Sequence, residues 1–368
     1  LCITFTEKAK KEMFDAIYEK AQEKFSDADI MKINIHTFHS FAYNYLLDAG
    51  LISGDIVGNN LMRFSILNSF EKNQALNYGK DYIINTIVPK TENSIRYIKS
   101  FGITPDKIDI KKATSTLEEI FDAKSSRYSL EELKSFLKYF IDAYKEYEKS
   151  KQEAIDYSDM LLMFKEKFKG DKFQHVLVDE MQDMNEIEAD IATMVAKNLF
   201  LVGDAKQAIF GFQGGSVKNF QKFMKTCDKK MLSTNRRSSQ QILDYSKQHF
   251  LKGTSSREDY EKELSVFKGL KTGEIPKVFS TSAHLSKILE VIGENPEKSI
   301  GIITRTNTQI IKISKFLDSN SIEYKSTASQ ASTEQAKNEI QSFIRGLLSD
   351  KIEEKISATF TIFAPYSL

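Results

Sequence analysis

The chain reads as an α/β protein with parallel strands, and three observations carry that expectation. Two short apolar runs, Val176-Leu177-Val178 and Leu199 to Val202, stop abruptly on polar residues. Asp179 and Glu180 follow the first run, and Gly203, Asp204 and Gln207 follow the second. An apolar run bounded in this way is the pattern of a fully buried parallel strand that delivers charge to its C-terminal edge, where open α/β sheets bind ligands. The third observation is the alternation of strand-period and helix-period segments along the chain, which parallel crossover connections require.

Composition sets the outer bounds. A chain of 368 residues can hold two domains, each with a real core, and 41% hydrophobic and 28% charged residues are ordinary for a globular protein. A net charge of +1 excludes bulk attraction to nucleic acid, so any such binding must rest on local patches. Residues 216–262 supply one, with eleven basic residues against five acidic. Cys2 and Cys227 lie too far apart in sequence for a disulfide framework or a metal knuckle, which points to a reducing, cytoplasmic setting. No apolar run approaches the length of a membrane span and no signal peptide is visible. Leu1 stands inside an apparent strand, so the sequence is expected to be part of a longer protein.

Taken in order, Leu1 to Phe5 is an apolar strand, and Thr6 caps a helix with Ala9, Met13, Ala16 and Ile17 at helical spacing. Ile33 to Phe41 alternates and then passes into an apolar helix through Tyr45 and Leu46. Residues 48–153 are helical in period, with breaks at Gly54, Gly58, Pro89 and Gly102 to Pro105. Their clearest amphipathic stretch, Leu130 to Glu148, places Leu133, Phe136, Leu137, Phe140, Ile141 and Tyr144 on one face. Asp156 and Asp159 are expected to cap the next helix. Beyond Ile275 come strands at Lys277-Val278-Phe279, Ser299 to Thr304 and Ile322-Glu323-Tyr324, with helices between them and another from Ala336 to Leu348.

The chemistry that needs two neighbouring strand ends carrying Asp179, Glu180 and Gln207 is metal-assisted attack of water on a phosphoanhydride. Asp179 would hold Mg²⁺ directly or through its water shell, Glu180 would orient and deprotonate the water, and Gln207 would reach a terminal phosphate or that water. Acidic strand ends without any metal are the common alternative.

The joint pattern of motifs narrows the choice. Val-Asp-Glu-Met-Gln-Asp-Met-Asn at 178–185 and Leu-Val-Gly-Asp-Ala-Lys-Gln-Ala-Ile-Phe-Gly-Phe-Gln-Gly-Gly at 201–215 resemble motifs II and III of superfamily 1 DNA helicases of the UvrD/Rep/PcrA type. Four more signatures occur in that family's order. Thr4-Phe5-Thr6-Glu7-Lys8-Ala9 is similar to motif Ia, with Glu7 in place of the usual Asn, and Thr37-Phe38-His39-Ser40 matches the family's Thr-Phe-His-Ser. Leu232 to Ser238 resembles motif IV, and Arg305-Thr306-Asn307 resembles the family's Arg-Thr-Asn. Ile155 to Leu162 resembles the element that leads the family back into its motor domain.

The resemblance implies RecA-like P-loop NTPase motor domains with an all-helical insertion, and ATP and Mg²⁺ as cofactors. It further implies movement 3′ to 5′ on single-stranded DNA with unwinding at single/double-strand junctions. Thr4, Phe5, Thr6, Thr37, Phe38, His39, Arg305 and Asn307 would face DNA, and Phe210 and Phe212 would wedge between bases. Asp204, Gln207, Arg236 and Arg237 would meet the nucleotide, Arg237 as the arginine finger and Arg236 in place of a Tyr that stacks on adenine.

The expected division is a first motor domain at 1–47 and 154–230, a helical insertion at 48–153, the start of a second motor domain at 231–335 and the start of an auxiliary insertion at 336–368. The family's Gly-rich phosphate loop does not occur in these residues, so this stretch alone is expected to be inactive. A catalytically silent, nucleic-acid-binding or scaffolding subunit with the same fold is the alternative. Retention of Asp179, Glu180, Gln207 and Arg237 argues against it.

Overall fold

Four strands form one parallel sheet. β1 (Cys2–Thr4) pairs with β2 (Ile35–Thr37) on one side and β3 (Phe173–Val178) on the other, and β3 pairs with β4 (Ala196–Leu201), giving the order β2-β1-β3-β4. The computed structural model describes residues 1–53, 56–72, 78, 79, 82–122, 126, 128–208, 217–254, 257–326, 340–351, 354, 355 and 358. They divide into two compact units, Leu1–Cys227 with Glu339–Leu368, and Asp228–Asn338.

In the first unit, helix α1 (Glu7–Ala21) carries the chain out of β1 and starts where Thr6 Oγ1 accepts the Ala9 N–H. A single turn, α2 (Asp27–Ile30), leads back to β2. Helix α3 (Phe38–Asp48) leaves β2 through a capping box in which Thr37 and Ser40 satisfy each other's backbone N–H. Such a cap occupies helix N–H groups that have no intrahelical partner and contributes about 1 kcal/mol.

Between Ile56 and Ile155 the chain leaves the sheet and builds helices α4 (Asn59–Lys72), α5 (Val88–Lys99), α6 (Ile110–Ile120) and α7 (Leu130–Ser150). The two ends of this excursion lie side by side, bridged at Ile56 and Ile155, with the Val57 N–H donating to the Ile155 carbonyl at 2.9 Å. The excursion has its own core, built on Met62, Ile66, Ile95, Tyr139, Tyr144 and Tyr147. On α7 the structure buries Ile141 and Tyr144 as the periodicity predicts. The centre of the buried face nevertheless falls on Tyr139, Ala143 and Tyr147, and Leu133, Phe136, Leu137 and Phe140 are only half-buried. The tyrosines can go inside because each hydroxyl finds an acceptor: the Ile66 carbonyl at 3.0 Å for Tyr139, the Ile103 carbonyl at 2.9 Å for Tyr144 and Asp156 at 2.8 Å for Tyr147.

Helix α8 (Tyr157–Lys167) returns the chain to the sheet under a capping box of Asp156 and Asp159, as expected for those two carboxylates. Helix α9 (Glu186–Val195) joins β3 to β4 under a further capping box of Asn185 and Glu188, and α10 (Val217–Thr226) follows. The sheet's core gathers Ile3, Phe38, Leu46, Phe164, Val176, Val178 and Ile191.

One expectation is corrected here. The apolar run of β3 is buried on one face only: Val176 and Val178 are inside, whereas Leu177 is 40% exposed and its register partner Phe200 is 61% exposed. Cys2 and Ile35 share that face by register and are buried, because α1 packs on β1 and β2. Leu177 and Phe200 lie beyond that cover.

In the second unit, β5 (Thr234–Ser239) pairs in parallel with β6 (Lys268–Lys271), accompanied by helices α11 (Gln240–Gly253), α12 (Arg257–Leu264), α13 (His284–Glu294) and α14 (Asn307–Ser319). The strands expected at 277–279, 299–304 and 322–324 are not strands in the structure. Without a ladder partner a β-period segment stays open, and Val278, Phe279 and Ile303 are exposed at 69%, 54% and 97%. Among the described residues no helix is long and apolar enough to cross a membrane.

Candidate functional site

The C-terminal edge of β3 and β4 gathers Asp179, Glu180, Asp204 and Gln207. Backbone bonds fix that edge first: the Asp179 N–H donates to the Ile3 carbonyl at 3.1 Å, and the Met181 N–H to the Val202 carbonyl at 2.9 Å. Between them Glu180 adopts a left-handed backbone, φ 52° and ψ 43°, a conformation costly for a side chain with a Cβ and one that gathers at functional positions. The turn leaves the Glu180 side chain exposed at the edge.

A residue that motif spacing did not single out organises this edge. Gln182, 2% exposed, donates from Nε2 to Glu180 Oε2 at 2.6 Å, and its Oε1 accepts the Asp204 N–H at 3.0 Å. Gly203 makes room for it, since a Cβ there would stand 2.6 Å from Gln182 Oε1 and 2.5 Å from Met181 Cγ. Asp204 is already engaged, 2.9 Å from Lys206 Nζ and 3.3 Å from Gln207 Nε2. Burial would raise its pKa, but the Lys206 side chain and N–H outweigh burial and lower it. Asp204 therefore holds Lys206 and Gln207 in place at the edge.

Asp179 fits a hard cation. It is half-buried, its Oδ1 accepts the Glu180 N–H at 3.0 Å, and among the described residues Oδ2 has no recorded hydrogen bond. One carboxylate with a free oxygen suits Mg²⁺, which keeps most of its waters and shares phosphate oxygens. Gln207 is exposed at this edge.

The expected DNA-facing residues separate into two groups. Thr4 and Thr37 are buried, and Phe38 is 2% exposed in the sheet core, edge-on to Phe5, so that ring has no face to offer a base. Phe5, by contrast, is half-buried and lines a cleft of about 500 Å³. His39 lines it too, with its ring edge-on to Tyr157 at 5.6 Å, and burial lowers its pKa, which keeps the imidazole neutral at pH 7. Thr6 spends its hydroxyl on capping α1.

Arg96 and Tyr97 of α5 also line the cleft, as do Asp183 and Glu188. Tyr157, 58% exposed, and Tyr97, 43% exposed, are cleft aromatics outside the expected DNA-facing set. Tyr157 lies within the Ile155–Leu162 element, where residue type and spacing pointed to no role of its own.

In the second unit Asn235 Oδ1 accepts the N–H of Arg237 at 3.0 Å and of Ser238 at 2.7 Å, and the side chains of Arg236 and Arg237 are exposed. Arg305 and Asn307 are exposed at the start of α14, where Gln309 Oε1 accepts the Arg305 N–H at 3.1 Å. Phe210 and Phe212 lie outside the described residues.

The comparisons with known proteins agree with the motifs. A probable DNA helicase II homolog of Mycoplasma pneumoniae is 26% identical over 348 residues, covering 87% of this chain and 45% of the relative. Its counterpart in Mycoplasma genitalium is 29% identical over 290 residues, covering 73% of this chain and 38% of the relative. The ATP-dependent DNA helicase PcrA of Leuconostoc citreum is 27% identical over 268 residues, covering 66% and 32%. The chain thus spans less than half the length of these curated relatives. Residues 1–228 match the family described as UvrD/REP helicase N-terminal domain, and with the parallel sheet that carries Asp179 and Glu180 on its edge, the chain belongs to that family.

Proposed function

We propose that the protein carrying this chain is an ATP-dependent DNA helicase or translocase that moves 3′ to 5′ on single-stranded DNA and opens single/double-strand junctions. The observation that supports this reading best is the Glu180 carboxylate, held by Gln182 on the same sheet edge as Asp179 and Gln207. Mg²⁺-ATP, when bound, supplies the phosphoanhydride to be cleaved. Asp179 would hold the ion through its open oxygen, and Glu180 would orient the attacking water and take its proton. Gln207, steadied by Asp204, would reach the terminal phosphate.

In this reading residues 1–47 and 154–230 are the first motor domain, 48–153 its helical insertion, 231–335 the start of the second motor domain and 336–368 the start of an auxiliary insertion. The cleft lined by Phe5, His39 and Tyr157 takes single-stranded DNA, because aromatic faces stack on any base. Arg305 and Asn307 contact the DNA backbone, Phe210 and Phe212 wedge between bases, and Arg236 and Arg237 reach the nucleotide.

The test is ATP hydrolysis by the full-length protein with and without single-stranded DNA. Wild type is expected to be stimulated by DNA, and Glu180→Gln is expected to keep ATP binding while losing roughly two to four orders of magnitude in turnover. Turnover by Glu180→Gln close to that of wild type removes Glu180 from the role of base.

A further inference from the structure

Two lysines and three carboxylates meet in the interior where the helical excursion joins the sheet domain. Lys99, the last residue of α5, is 2% exposed. Its Nζ lies 2.8 Å from Glu148 Oε1 on α7, 2.6 Å from Asp156 Oδ2 and 2.7 Å from Asp159 Oδ1 at the start of α8. Lys151 closes the cluster from the other side, 2.8 Å from Glu148 Oε2 and in contact with Asp159. The Tyr147 hydroxyl donates to Asp156 Oδ2 at 2.8 Å, and the two ammonium groups lie 5.4 and 5.1 Å from the centroid of its ring. Glu148, Asp156 and Asp159 are near enough to one another to hold a metal ion, but the two ammonium groups already fill that space.

Fold stability alone is a poor reason for such a cluster. Buried ion pairs recover little beyond the cost of taking the charges out of water, and an apolar replacement of similar volume often serves as well. Burial would raise the Asp156 carboxyl, yet Lys99 and Lys151 outweigh it and hold the group down at about 2, so the cluster stays ionised at neutral pH.

What the cluster does have is position. Helix α5 presents Asn93, Arg96 and Tyr97 to one wall of the aromatic cleft. Asp156 immediately precedes Tyr157, which lines the same cleft with its ring against His39. Lys99 therefore ties the helix that carries Asn93, Arg96 and Tyr97 to the residue next to Tyr157.

We propose that Lys99 is a positioning residue for single-stranded DNA, pinning α5 to Asp156 and Asp159 so that the cleft residues of α5 and Tyr157 stand at a fixed separation before DNA arrives. This rests on the DNA reading of the cleft given above. A pinned cleft is preorganised, whereas an unpinned excursion must be ordered anew in each binding event, which weakens affinity without touching the hydrolytic edge.

The test uses the full-length protein at fixed salt and compares wild type, Lys99→Gln and Lys99→Arg. Binding is read by anisotropy of a labelled oligothymidylate, and DNA-stimulated ATP hydrolysis is measured alongside. For Lys99→Gln, the Kd and the KM for DNA are expected to rise roughly ten- to hundredfold. The KM for ATP and the kcat at saturating DNA are expected to stay where they are, and Lys99→Arg to recover part of the affinity. Spin labels at Ser94 and Glu166, in a Cys227→Ser background, are expected to give a narrow distance distribution in wild type and a broad one in Lys99→Gln.

Wild type that fails to bind the oligonucleotide overturns the DNA reading of the cleft, and this proposal with it. Wild type that binds, beside a folded Lys99→Gln with the same Kd and the same distance distribution, overturns the proposal alone. Should Lys99→Gln not fold, Asp156→Asn, which can still cap α8 but removes the charge that Lys99 meets, carries the same test, and the same two outcomes decide it.

Discussion

The side-chain amide of Gln182 donates to the carboxylate of Glu180 at 2.6 Å from a position that is itself buried. A carboxylate on an exposed strand end samples several rotamers, and this bond selects one of them. Gln182→Ala is expected to lower kcat for ATP by roughly ten- to hundredfold, with a smaller change in the KM for ATP. Steady-state kinetics on the full-length protein check this, and a kcat equal to wild type would show that Glu180 needs no such guide.

Gly203→Ala reaches the same bond from the other strand. The added methyl would crowd Gln182 Oε1 and Met181 Cγ, and the Met181 backbone nitrogen would lie 3.1 Å away. Gln182 must then shift, releasing both Glu180 and the Asp204 N–H. The expected outcome is a loss of kcat matching that of Gln182→Ala, and a double variant little worse than either single one. Additive losses would mean that the two residues act separately.

Glu188 makes stability depend on pH. Burial raises its carboxyl from 4.5 to about 7; the Asn185 N–H opposes that rise and the Asp183 charge adds to it. Between these two values the folded state binds more protons than the unfolded chain, so this group's contribution falls as pH rises through the window and is flat above it. Glu188→Gln keeps an acceptor for the Asn185 N–H and removes the buried charge. It is expected to stabilise the protein by on the order of 1–3 kcal/mol at pH 8 and to change little at pH 4.5, as read from urea midpoints at both values. Asp156 runs the other way, contributing stability above its ordinary 3.8 that is lost as pH falls toward about 2.

Glu7 stands exposed in the first turn of α1, within 3.4 Å of the Thr37 hydroxyl and of Lys10 Nζ. Beside the proposed path of a phosphodiester chain its charge is repulsive. Glu7→Asn is expected to lower the Kd for single-stranded DNA by about threefold at low salt, with the gain shrinking as salt rises. An affinity that is unchanged at every salt concentration places the DNA away from this turn.

Much of the fold was legible because its signals are local. The caps at Thr6 and Asp156 and the strand ends at Asp179 and Asp204 follow from residue type and spacing over a few positions. What stayed hidden depends on partners distant in sequence. The exposure of Leu177 is decided by how far α1 reaches across the sheet, and the burial of Tyr139 and Tyr147 by acceptors at Ile66 and Asp156. Gln182 looked like an ordinary polar residue between Met181 and Asp183, since its second partner comes from β4. Phe38 matched a motif, yet alternation along β2 and α3 turns its ring into the core.

Because Ile56 and Ile155 are bridged neighbours, both chain connections between the helical excursion and the sheet domain lie at one place. A short loop could join the two sides there, and the strand order with its Asp179–Glu180 edge would be unaffected, the circumstance in which inserted modules are best tolerated. Evolution can therefore lengthen, trim or exchange this cassette without having to reinvent the folding of its host. The condition on any replacement lies in the interior: it must bring a cation to the place where Lys99 meets Asp156, or leave that carboxylate without its counter-charge.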